Sequence, residues 1–215
     1  MKKGLTIIMA AFFLALMMGG SSSALAISGS IWAPDANLYN FGTHNLTNTF
    51  FAGLGTANAT FTVNSINFDS GAPENYVSWL TTGGGLSFST GAVFAANNTL
   101  QTSGTRTSFF QFTGTATFPA SFSIRHDDGI QLYIDGSLVP LTPTDASDPA
   151  YPTGAEFTPY AVSAGVHTFI LNYAAWNSMP EVLQAPDIRV PEPTSLLLLG
   201  LGLIGAAAVR RRIKK

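Results

Sequence analysis

The chain has 215 residues, 46% hydrophobic and only 10% charged, and contains no cysteine, which excludes disulfides, thiolate catalysis and cysteine-ligated zinc. The formal charge of −2 hides a segregation: seven of the ten Lys and Arg lie at the two ends, leaving residues 27–190 with three basic and eleven acidic side chains. A region that acidic repels phosphate backbones and disfavours nucleic acid, while divalent cations and neutral glycans remain compatible with it.

The opening stretch MKKGLTIIMAAFFLALMMGGSSSALA has two lysines, an apolar run from Leu5 to Met18 and small residues at Ala24 and Ala26. That order predicts a secretory signal peptide over residues 1–26, cut after Ala26, rather than a retained membrane helix.

Residues 27–190 are enough for one domain. Glu and Lys are scarce there, while β-branched and aromatic residues are plentiful, so strands are expected. Apolar residues recur every second position through most of the region. ATFTVNSINF places Phe61, Val63 and Ile66 against polar neighbours, and TSFFQFTGTATF sets Phe110, Phe112 and Phe118 among threonines. ASFSIRH puts Phe122 and Ile124 on one face, and IQLYI does the same for Ile130, Leu132 and Ile134. VHTFILNYAAW offers Val166 and then Phe169, Leu171 and Tyr173. Clusters of Gly, Asn, Asp and Pro separate these runs. The predicted class is therefore all-β, an antiparallel β-sandwich, with no long amphipathic helix and no internal repeat. Asn45, Asn58 and Asn97 each open an N-x-T triplet, a glycosylation pattern read here as chance in an Asn- and Thr-rich chain.

Between the last two runs, residues 138–165 carry five prolines and read as a long surface loop with short strand fragments at most. Loops of that length in a compact domain are often functional.

The end of the chain has three parts. Pro191-Glu192-Pro193 breaks preceding structure, an apolar helix is predicted over 195–209, and five cations follow in the last six residues. At ~1.5 Å per residue that helix reaches roughly 22 Å, short of a ~30 Å hydrocarbon core unless Arg210, Arg211 and Arg212 snorkel. The basic cluster is expected to stay cytoplasmic and the acidic domain to face outward. This tail resembles the PEP-CTERM sorting signal. The resemblance implies that residues 191–215 anchor a precursor transiently in the inner membrane until an exosortase cuts near Pro191-Glu192-Pro193. The mature protein would then reach the cell surface or an exopolysaccharide matrix.

One stretch invites a chemical reading. In IRHDDGIQLYIDGS, Asp127 and Asp128 are adjacent, and Asp-Gly recurs at 128–129 and 135–136. Asp-Gly between alternating hydrophobics is a strong hairpin signal. On that reading both pairs turn a three-strand meander, with Asp128 at positive φ and Asp127 capping the strand. The alternative is that the two carboxylates hold a cation. The order Asp127-Asp128-Gly129, Tyr133-Ile134-Asp135-Gly136, then Ala164-Gly165-Val166-His167 before a long strand resembles the PA14-like superfamily, including GLEYA-type lectin domains. That resemblance covers about residues 108–185. It implies that Asp127 and Asp128 flank a cis peptide bond and ligate Ca²⁺, that Asn177 is the third ligand, and that Trp176 stacks on a bound sugar. Ca²⁺ takes six to eight oxygens at about 2.3–2.6 Å, which adjacent carboxylates and loop carbonyls can supply.

Two functions follow as expectations. One is an exported Ca²⁺-dependent carbohydrate-binding or adhesion module, and the other a ligand-free structural component of the matrix or biofilm. An enzyme is not expected. His44, His126 and His167 form no metal-binding pair, and no Gly-x-Ser-x-Gly elbow or serine-protease order of Ser, His and Asp is present. His126 and Asp127, adjacent on a strand, point to opposite faces.

Overall fold

The computed structural model describes residues 26–33, 46–70, 75–100, 107–140, 156–175 and 181–190, all inside one compact unit, Ala26–Pro191. In chain order the strands are β1 (Ile27–Trp32), β2 (Ala59–Val63), β3 (Asn67–Ser70), β4 (Ser87–Thr90), β5 (Ser108–Phe118), β6 (Ser121–Asp127), β7 (Gly129–Ile134), β8 (Ser137–Leu138), β9 (Glu156–Ala161), β10 (Gly165–Ala175) and β11 (Glu181–Gln184). Three six-residue helices interrupt them, α1 (Asn48–Gly53), α2 (Tyr76–Thr81) and α3 (Ala92–Asn97). Thr47 caps α1 and Asn75 caps α2 through their side-chain oxygens, which explains where these otherwise short helices start.

The strands make two sheets of orders β4-β2-β1-β5-β10-β7-β8 and β3-β11-β6-β9, and every strand pair is antiparallel. The larger sheet is built around β5 and β10, paired along their whole length from Gly165↔Phe118 to Ala175↔Ser108. Period two fixes which side chains meet the other sheet. Phe112 of β5 stacks on Phe68 of β3 at 5.4 Å, and Phe118 meets Phe122 of β6 at 5.5 Å. Leu132, Leu171, Ile124 and Leu183 complete the interior, all fully buried. Val166 points the other way and is 61% exposed.

Several expectations need correction. The run 59–68 is not one strand: β2 belongs to the large sheet and β3 to the small one, and the chain changes sheets at Asn64–Ile66. Within the predicted loop, Glu156–Ala161 forms a full strand at the edge of the small sheet, paired with β6 from Ser121↔Ala161 to His126↔Glu156. Pro159 is tolerated there because an edge strand leaves half its backbone donors unused. The meander is also wrong. Asp135-Gly136 does turn the β7–β8 hairpin with φ of 49° and 79°, but β6 and β7 lie in different sheets. Asp128 is not among the positive-φ residues, so Asp127-Asp128-Gly129 is a corner between sheets and not a hairpin turn.

Gly29 of β1 lies opposite Phe61 and Phe112. A Cβ there would fall 2.1 Å from the Phe61 ring. That ring is hemmed in by Phe88 at 6.0 Å and Phe112 at 5.8 Å, so it has nowhere to move. Gly29→Ala is therefore expected to cost about 1–3 kcal/mol through overpacking. Urea unfolding checks this, and an unchanged midpoint would count against the packing described.

Candidate functional site

Burial sorts the acids of this chain sharply. The buried Asp, Glu and His side chains among the described residues are His126, Asp127, Asp128 and Glu181, and all gather where β6 hands over to β7. Buried ionisable groups are rare because each must be paired, bound or neutralised.

Five elements contribute side chains to the corner: β6, β9, β10, β11 and α2. Along β6, Phe122, Ile124 and His126 face the interior, while Arg125 faces out to Asp69 at 3.1 Å and Gln184 at 3.0 Å. Asp127 ends the strand at 3% exposure and Asp128 follows at 0%. The peptide bond joining them is cis, as the resemblance implied. His126 Nδ1 donates to the Asp128 carbonyl at 2.5 Å, which leaves Nε2 as acceptor for the Thr158 hydroxyl of β9 at 2.6 Å. Both ring nitrogens are thus satisfied with the imidazole neutral, and burial lowers its pKa to about 4.

From the opposite sheet, the Tyr173 hydroxyl of β10 donates to the Asp127 carbonyl and also lies 3.1 Å from Glu181 Oε2. Trp79 of α2 stacks on Tyr173 at 5.8 Å and donates its indole N–H to the Glu181 carbonyl at 3.1 Å. Glu181 is pushed up to about 10 by burial first and then by the charge of Asp128, with Asp127 adding to it and the Tyr173 hydroxyl opposing. Proton counting agrees. Tyr173 has one proton for two acceptors, so both contacts are made at once only if Glu181 carries its own. Burial, followed by the charges of Glu181 and Asp128, likewise raises Tyr173 well above its ordinary value.

Of the predicted site residues, the structure brings Asp127 and Asp128 together at this corner. Asn177 and Trp176 lie outside the described residues, as do Ala24, Pro191, Glu192, Pro193, Arg210, Arg211, Arg212 and the predicted helix 195–209. Ala26 is half-buried immediately before β1. Sequence reasoning missed Glu181, Tyr173 and Trp79. The alternation puts Tyr173 in the core, but nothing in the chain announces that its hydroxyl reaches a carbonyl 46 residues away. Among the described residues no three His, Cys, Asp or Glu side chains are grouped closely enough to ligate one metal directly.

A second polar cluster joins the β7–β8 turn to the start of β10. His167 Nδ1 lies 2.6 Å from Asp135 Oδ2, and its Nε2 lies 3.2 Å from the Ser163 hydroxyl and 3.1 Å from the Ser163 carbonyl. Asp135 Oδ1 accepts from the Thr168 backbone and hydroxyl, and these bonds, that of His167 first, hold its carboxyl below its ordinary pKa. The linkage runs in the order of a nucleophile, a base and a carboxylate. However, Nε2 is shared almost equally between the hydroxyl and the carbonyl of one turn residue, which is the geometry of a clasp between two turns.

Residues 189–212 match the PEP-CTERM protein-sorting motif, which marks the chain as an exported protein sorted by exosortase. No curated protein matches it. Among solved structures, the PA14 sugar-binding domain of an RTX adhesin is 18% identical with a TM-score of 0.50, over 75% of this chain and 87% of that one. The PA14 domain of the MpAFP antifreeze protein is 15% identical with a TM-score of 0.47, over 74% and 78%. The GH31 α-xylosidase of Xanthomonas citri is 10% identical with a TM-score of 0.40, over 76% of this chain but only 15% of the enzyme. The protein thus joins a PEP-CTERM sorting motif to an antiparallel β-sandwich similar in fold to a PA14 domain.

Proposed function

We propose that the exported domain is a carbohydrate-binding or adhesion module that holds Ca²⁺ at Asp127 and Asp128. The observation that carries this reading is the burial of two adjacent carboxylates, 3% and 0% exposed, at a corner between sheets. A hairpin turn would have left them in water. The donor set fits a hard cation: carboxylate and carbonyl oxygens predominate at the corner. Asn177 would be the further oxygen ligand and Trp176 the platform for a sugar face. The fold shared with a sugar-binding domain of an adhesin supports a glycan as the second ligand.

When bound, Ca²⁺ supplies positive charge that draws in sugar hydroxyls and pairs the two acids. The chain's own part is positional. His126 and Tyr173 grip the carbonyls of Asp128 and Asp127, so both side chains leave the corner in fixed directions. No turnover is proposed, because the Asp135, His167 and Ser163 cluster serves the turns. The expected destination is the cell surface or exopolysaccharide matrix, after exosortase processing of a precursor anchored transiently in the inner membrane by residues 195–209. A ligand-free structural role in the matrix or biofilm is the competing reading.

Calorimetry of the purified protein with CaCl₂ is expected to show binding that Asp128→Ala abolishes. At a hundredfold excess over Kd, Ca²⁺ should add about 2.7 kcal/mol of stability to the wild type. Neither heat nor a thermal shift in the wild type would favour the ligand-free role. A glycan array run with and without EGTA then reports the sugar.

A further inference from the structure

Glu181 is the buried acid that the cation reading does not use. It opens β11 at 0% exposure. Its Oε2 meets the Tyr173 hydroxyl that also holds the Asp127 carbonyl, whereas Oε1 has no hydrogen-bond partner among the described residues. An unsatisfied buried oxygen is costly and calls for an explanation. The charged groups it feels are the acids Asp128 and Asp127, and among the described residues the elements packed around it add Tyr173, the neutral indole of Trp79 and, on the paired strand β6, the buried neutral His126. Among the described residues no three such acids are grouped to hold one cation directly, and a water extends the reach of a carboxylate by one hydrogen bond.

Resting on the Ca²⁺ reading above, we infer that Glu181 is an outer-sphere residue of that site, its Oε1 accepting from a water held on the cation while Tyr173 fixes Oε2. One hydroxyl thereby ties the carboxyl of β11 to the backbone of the corner, so the site is shared between the two sheets. Groups at one remove from a metal commonly change its affinity 10–100-fold. The cation's charge also offsets the crowding of three acids that burial alone makes unfavourable.

The test uses the full chain in detergent with Tb³⁺ as probe, excited through Trp79 and Tyr173 and displaced by Ca²⁺. Glu181→Gln matches the neutral carboxyl in shape, so its thermal midpoint in EGTA should be no lower than that of the wild type. Its Tb³⁺ and Ca²⁺ affinities should fall about 10–100-fold. Luminescence lifetimes in H₂O and D₂O should report the same number of metal-bound waters in both proteins. Unchanged affinity, an additional bound water in the variant, or a lowered midpoint in EGTA that accounts for the lost affinity would each overturn the assignment. Wild-type protein that takes up no Tb³⁺ or Ca²⁺ defeats the cation reading itself, whereas undiminished binding by Glu181→Gln defeats only the role of this residue.

Discussion

Trp79→Ala is expected to destabilise the domain by about 3–5 kcal/mol, the range for emptying a buried Trp site. Domains of this size are typically stable by only about 5–15 kcal/mol, so the variant should sit near the edge of folding. The cause is position. Trp79 is fully buried and packs on Phe68 at 4.7 Å, Phe110 at 4.9 Å and Tyr173 at 5.8 Å. It therefore bridges β3 of one sheet to β5 and β10 of the other. Truncation leaves a cavity ringed by aromatics that cannot collapse into it, and removes the donor to the Glu181 carbonyl. Trp79→Phe separates the two losses, since it keeps a ring but drops the N–H and should cost less. Urea denaturation of both variants checks the ordering. Equal costs would mean that the hydrogen bond, and not the packing, carries the effect.

The cation-free protein should show stability that is nearly level between about pH 4.5 and 6.5, because two buried groups oppose one another. His126 has its pKa lowered from 6.5 to about 4 by burial. Its neutral form is favoured in the fold, so the stability it contributes is complete above pH 6.5 and is lost as pH falls toward 4. Glu181 is raised from 4.5 to about 10, by burial first. Its protonated form is favoured in the fold, so its contribution is complete below pH 4.5 and is lost as pH rises toward 10. Each shift is worth roughly 1.4 kcal/mol per pH unit within its window, and the signs cancel where the windows overlap. Single variants expose the two limbs. His126→Phe should leave a stability that falls steadily from pH 4.5 upward, and Glu181→Gln one that rises from pH 4 to 6.5. Unfolding midpoints across pH 4–8 in EGTA decide it, and two variants with the wild-type profile would show that neither group titrates as its surroundings require.

Much of the sandwich was legible in the chain because period-two alternation is a local signal. Phe110, Phe112 and Phe118 occupy the interior as expected, and so do Phe169, Leu171 and Tyr173. What failed were assignments that depend on which sheet a strand joins. Alternation says which face is apolar but not which neighbour pairs, and so it does not mark the changes of sheet at Asn64–Ile66 and Asp127–Gly129. The strand at Glu156–Ala161 was hidden by Pro159, whose edge position only the assembled sheet reveals. The first strand, Ile27–Trp32, escaped notice because Gly29 interrupts its apolar face, and Phe61 fills that gap from the neighbouring strand.

The C-terminal sorting motif and the all-β character were determined by the sequence alone, since a sorting motif and a hydrophobic period are written in consecutive residues. The adjacency of Asp127 and Asp128 was likewise plain. Their burial was not, nor was the company they keep. Glu181, Tyr173 and Trp79 are distant in the chain and reach the corner only when β10, β11 and α2 pack on it. Burial and proximity are properties of the packed whole, and they turn an ordinary-looking Asp-Gly turn into a crowded site for charge.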